Sequence, residues 1–178
     1  MSSDPRQRDS FTISARLLKN GGMSPLFWRD DILNKEIKVM GPMGFNTSNK
    51  LGENKIFLFA FGIGVSVIKS IASEMIANPE VKELFIVTGN TNEDEILYKD
   101  FLDNLWKNNE KVTVQYVLSK PKNLNYPYTG HIQDFIEDFD FDNSGVYICG
   151  STKACESLKE KIESMKPENS QIIVEAFG

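Results

Sequence analysis

The stretch IFLFAFGIGVSVI, residues 56–68, decides the fold. Its first six residues, IFLFAF, are apolar without alternation, as in a strand covered on both faces of a sheet. Gly62-Ile63-Gly64 then breaks the run, and the spacing of apolar residues beyond it is helical up to Ala77, before Asn78-Pro79. The residue before a proline is pushed out of helical geometry, so the helix is expected to stop there. A strand, a glycine turn and a helix in that order are the opening of a βαβ unit. Thirteen residues interrupted by two glycines and a serine fall short of the ~20 that cross a bilayer, so no membrane partner is expected.

Further along the chain the same alternation recurs. ELFIVTG (83–89), VTVQYVLS (112–119), GVYICG (145–150) and QIIVEAF (171–177) are rich in Val, Ile, Phe and Tyr and read as four more strands. Between them, helices are predicted from about Glu93 to Asn109, over 132–139, and from about Lys153 to Met165. Five strands with helical crossovers imply an α/β fold with a doubly wound five-stranded parallel sheet over residues 55–178. Residues 1–54 read differently. SFTISARLL (10–18) and EIKVMGPMG (36–44) are two strand candidates, MSPLFWRDDIL is a short helix with Ser24 as its N-cap, and TSNKLGEN (47–54) is a polar connection. Two strands and a helix cannot close a barrel or bury a core of their own.

Composition narrows the function. At 178 residues the chain holds one full domain and an appendage. Its net charge is -5, and no run of Lys and Arg could neutralise a row of phosphates, so nucleic acid is not an expected partner. Two cysteines and one histidine are too few for a cysteine-based zinc site or an iron-sulfur cluster. The N-terminus lacks an apolar h-region, so a cytoplasmic location is expected.

The candidate site residues lie at the carboxyl ends of the strands, where open α/β sheets bind ligands. Gly62, Ile63, Gly64 and Ser66 form a turn and helix start that either serve as a tight connection or offer amides to a phosphate. As a dinucleotide fingerprint the turn is incomplete: Val67 holds the third glycine position, and Thr88-Gly89 stands where an acid would end the second strand. Ser119 and Lys120 end the third strand and can meet a phosphate or simply face solvent. Cys149 ends the fourth, as a packed small hydrophobe or as a reactive thiol. Glu175 and Phe177 close the fifth. His131 suits a turn or a helix start, and Trp28 and Trp106 suit packing.

Taken in order, these pieces resemble the ferredoxin-NADP reductase family. The likeness is carried by Gly41-Pro42-Met43-Gly44, the glycine turn at 62–64, Val87-Thr88-Gly89 with Asn90 and Glu93, Tyr98, and Val117-Leu118-Ser119. It continues through Gly130-His131-Ile132, Val146-Tyr147-Ile148-Cys149-Gly150 and Val174-Glu175-Ala176-Phe177-Gly178. The resemblance implies a flavoprotein-type oxidoreductase that moves electrons from NAD(P)H via FAD to a redox partner protein. It also implies roles. Cys149 and Glu175 would be catalytic, next to the nicotinamide and on a proton path. Gly62, Ile63, Gly64, Ser66, Gly89, Asn90, Gly150 and Ser151 would hold the dinucleotide, NAD or NADP. Ser119 and Lys120 would meet its adenosine end, with Lys120 favouring the 2'-phosphate of NADP. Gly22, Met23 and Ser24 look like the flavin-pyrophosphate element, and Phe177 would pack by the flavin ring.

Phe61, Ile63, Val67, Ser151, Thr152 and Ala154 depart from the family pattern, and Phe61 and Ile63 are expected to narrow the phosphate turn. The family's Arg-x-Tyr-Ser strand would lie just upstream of Ser2-Ser3-Asp4-Pro5. A truncated flavin barrel is therefore expected. With it comes the alternative of a nucleotide-binding module or subunit without flavin binding of its own, completed by another chain or by a second copy through its unpaired strand edges.

Overall fold

The computed structural model describes residues 1–41, 51–52 and 54–177. Five strands form one sheet: β1 (Lys55–Phe61), β2 (Glu83–Asn90), β3 (Val112–Leu118), β4 (Ser144–Ser151) and β5 (Gln171–Phe177). All pairings are parallel and the order is β3-β2-β1-β4-β5. Three helices, α1 (Val65–Ala77), α2 (Lys99–Asn108) and α3 (Thr152–Ser164), complete the crossovers after β1, β2 and β4. The strand order reverses between β1 and β4, so the loops leaving these two strands diverge and a crevice opens between them.

The unalternating run of β1 is used on both sides. Ile56, Leu58 and Ala60 join a core with Ile68, Ala72 and Leu102 from α1 and α2. Phe57 and Phe59 join Cys155, Leu158 and Ile162 of α3 on the opposite face. Phe57 stacks on Phe85 at 4.8 Å and meets Phe141 at 4.6 Å between ring centroids, so this second layer is largely aromatic. Helix α1 ends at Ala77 with Asn78 extended, as the proline beyond it requires. The Lys111 ammonium donates to the carbonyls of Asn78 and Val81 at 3.0 and 3.2 Å and so satisfies acceptors at that helix end.

Four expectations are corrected. Residues 10–18 and the described part of 36–44 form no ladder. A strand needs a neighbour for its N–H and C=O groups, and within 1–41 the backbone makes only isolated contacts such as Ser2 N–H to Thr12 O. Ser24 is no N-cap: it is the first residue of a 3-10 turn, Ser24–Trp28, whose cap position is Met23, and its hydroxyl bonds to Leu18 instead. The helix expected from Glu93 begins at Lys99. Before it come a 3-10 turn, Glu93–Glu95, and Tyr98 at φ 56°, which breaks the helical path. The helix over 132–139 is only a 3-10 turn, Ile132–Phe135. Residues 42–44, and the connection at 47–54 apart from 51, 52 and 54, lie outside the described residues. Among the described residues no helix is long and apolar enough to cross a membrane.

Candidate dinucleotide site

The crevice is built by backbone meeting backbone. Gly62 turns at φ +53° out of β1, and a short 3-10 turn, Gly62–Gly64, feeds directly into α1. Gly64 lies so close to β4 that an added Cβ would sit 2.2 Å from the Cys149 carbonyl oxygen. Gly150 at φ +154° presses on Phe61, where a Cβ would come within 2.6 Å of the Phe61 Cβ. Only glycine allows these approaches, so the first turn of α1 is held over the end of β4. A cavity of about 940 Å³ opens above them.

That cavity is lined by Gly62, Ile63, Ser66, Gly89, Asn90, Ser119, Gly150, Ser151, Glu175 and Phe177, all anticipated from sequence. Gly64, Lys120 and Cys149 do not line it. Gly64 supports the turn from beneath. The backbone N–H of Lys120 donates to Thr91 O at 2.7 Å while its side chain is exposed. Cys149 is fully buried in the α1-side core, and burial, with the Glu175 carboxylate second, holds its thiol far above the usual range. Gly22, Met23 and Ser24 are likewise absent from the lining.

Other lining residues lie outside the anticipated site residues. Ser14 and Arg16 come from the N-terminal segment, which is tied down where Ser14 Oγ meets Tyr98 OH and where Lys69 donates to Ser2 O at 2.8 Å. Thr91 and Glu95 come from the turn after β2, and Gly130 and His131 from the loop before β4. Gly130 and His131 stood in the family pattern. Glu95 stood only in the helix expected from about Glu93.

At the β5 end the buried Tyr147 hydroxyl donates to Glu175 Oε2 at 2.5 Å and fixes that carboxylate against the cavity. At the β3 end Thr91 Oγ1 donates to Glu95 Oε2 at 2.8 Å. These residues fit a dinucleotide. A Cβ on Gly62 would meet nothing within 4 Å, no side chain caps the start of α1, and Ser66 lines the cavity from the first turn of that helix. The Val65 N–H is donated back to Gly62 O and Ile63 O, but the positive end of the helix dipole and the open turn at Gly62 favour a phosphate, and the volume suits a ligand of that size. The Ser24 hydroxyl, in the expected flavin-pyrophosphate element, accepts from Leu18 N–H at 3.0 Å and donates to Leu18 O at 3.3 Å, and of these two residues only Leu18 lines the cavity.

Comparison with known proteins agrees with this geometry. The model of the oxidoreductase NAD-binding domain matches residues 58–160. NADH-cytochrome b5 reductase 1 of Dictyostelium discoideum is 30% identical over 121 residues, covering 67% of this chain and 42% of that protein. The CS-b5R domains of human Ncb5or, solved in the NAD+ form, superpose with a TM-score of 0.70 over 90% of this chain and 47% of theirs, at 20% identity. Flavohemoglobin from Malassezia yamatoensis, solved with bound FAD and heme, gives 0.75 over 92% of this chain and 43% of its own, at 21% identity. The two structures share the fold, and the chain spans less than half the length of each of these three proteins.

Proposed function

Because the chain belongs to the oxidoreductase NAD-binding domain family, we propose that it is the nicotinamide-binding part of a flavoprotein-type reductase. In this reading electrons pass from NAD(P)H via FAD to a protein acceptor of the cytochrome b5 kind, the acceptor named in its Dictyostelium relative. Bound NAD(P)H supplies a hydride, and the protein's own task is to bind and orient. Amides at 62 and 63 and the Ser66 hydroxyl take the pyrophosphate. Ser119 and Asn90 flank the adenosine arm. Gly150 and Ser151 leave room for the nicotinamide arm, with Glu175 and Phe177 at its end. Cys149 acts from beneath by packing, since its buried thiol reaches no ligand.

One observation carries the reading: the turns after β1, β2 and β3 and the carboxyl ends of β4 and β5 line a single cavity at the switch point of the sheet. The test is thermal unfolding of the purified protein with NADH and with NADPH, followed by its flavin spectrum and its turnover of either nucleotide with an artificial electron acceptor. A ligand at 100 times its Kd stabilises by about 2.7 kcal/mol, well within detection. An unfolding temperature indifferent to both nucleotides would remove the binding claim. Binding without any electron transfer when FAD is added would remove the reductase claim.

A further inference from the structure

Residues 1–41 carry most of the exposed large apolar side chains among the described residues, and the order they possess leaves one strand edge open. From Ser10 to Leu18 the chain makes no turn or helix. In an extended segment the N–H and C=O groups of successive residues point to opposite sides, so even and odd positions serve two different edges. The even edge is taken. Thr12 N–H donates to Ser3 Oγ at 3.2 Å, Thr12 O accepts from Ser2 N–H at 2.8 Å, and Leu18 N–H donates to Ser24 Oγ at 3.0 Å. On the odd edge, no backbone group of Phe11, Ile13, Ala15 or Leu17 has a hydrogen bond among the described residues.

We propose that this open edge binds a second copy of the chain, residues 10–18 pairing antiparallel with the same residues of the other copy about a two-fold axis at Ser14. A two-fold interface must be self-complementary, and the sequence is. In that register Phe11 lies opposite Leu17 and Ile13 opposite Ala15, open edge against open edge and apolar against apolar. Without a partner Phe11 is 52% and Ile13 51% exposed. The flanking Asp9 comes beside Lys19 of the other copy, twice by symmetry. Both are exposed, and among the described residues neither has an ion-pair or hydrogen-bond partner. Registers two residues to either side put Asp9 beside Leu17 or Gly21 and leave both charges unanswered.

A two-stranded ladder alone is marginal in water. Here each strand is already fixed to a folded body, where Ser14 Oγ meets Tyr98 OH and Lys69 donates to Ser2 O at 2.8 Å. Much of the ordering entropy is thereby met before association.

The test is sedimentation of the whole protein over a wide range of concentration. Wild-type protein is expected to pass from monomer to dimer, more readily at low salt. Asp9→Lys alone places like charges opposite each other at both ends of the ladder, and Lys19→Asp alone does the same. Each should weaken dimerisation by about tenfold or more. Mixing the two variants restores both opposite-charge pairs, so a heterodimer should form where neither variant dimerises by itself. Ala15→Pro removes a donor from the open edge and none used within the monomer, so the dimer should be lost while the dilute protein keeps its unfolding temperature. A monomer at every concentration overturns the pairing. So does a dimer indifferent to Ala15→Pro and to both charge reversals, or one lost in both charge variants and not regained on mixing them.

Discussion

Tyr147 is 1% exposed, and its only polar atom donates to a carboxylate at the cavity wall. Replacing it with Phe keeps the ring in the core and removes that bond, which should cost about 1–2 kcal/mol in urea unfolding. Burial first, and the Glu175 hydrogen bond second, raise its pKa. Tyr116 is raised the same way, by burial and then by its 2.7 Å bond to Asp103. Above the tyrosine range near about 10, the unfolded chain releases these protons while the folded chain keeps them. The unfolded state then binds fewer protons, so stability is complete below that pH and falls as pH rises through it. Unfolding measured from pH 8 to 11 should show that decline, and Tyr147→Phe and Tyr116→Phe should each flatten it. Cys155 is raised to about 11 by burial and Cys149 further. Native protein at pH 8 should therefore show no rapidly reacting thiol, and unfolded protein two. A fast native thiol traced to Cys149 would restore a chemical role for it.

The junction of β1, α1 and β4 depends on what glycine leaves out. Gly64→Ala would force a methyl against the Cys149 carbonyl, with backbone on both sides and no side chain to move aside, for a loss of roughly 1–3 kcal/mol or more. Gly62→Ala meets no atom and should cost only the left-handed backbone penalty, about 1–2 kcal/mol, while nucleotide affinity reports on the turn. Unfolding of the two variants side by side checks the order. Both glycines were visible in sequence as a turn. Which one was open to a ligand and which was wedged against β4 was not, because that depends on the neighbour supplied by the strand order.

Across the molecule, order is uneven. Strands β1 and β4 lie between other strands with helices on both faces, whereas residues 1–41 contain two 3-10 turns and no ladder, with Phe11, Trp28 and Leu33 exposed. In dilute protein, amide exchange should accordingly be slowest in β1 and β4 and faster by orders of magnitude across 1–41, as measured by mass spectrometry. Equal protection of 10–18 would indicate a strand partner. Here the pattern of alternating apolar residues predicted strands that did not form: propensity makes an extended segment, and only a second segment makes a sheet.

The five strands, their breaks and the three α-helices were legible in the linear pattern, because continuous apolar runs, helical spacing and proline or glycine stops act over a few residues. Membership of the cavity was not. Cys149 and Glu175 are register partners in β4 and β5, yet one is sealed and the other faces the cavity, since β4 lies inside the sheet and β5 is its edge. Glu95 reaches the cavity through a reversal capped by Asn92, and Arg16 through a segment anchored on Tyr98 and Lys69. Local forces act between neighbours in the chain and so appear in its pattern. Burial and facing arise between segments far apart in it, and are settled only when the sheet closes.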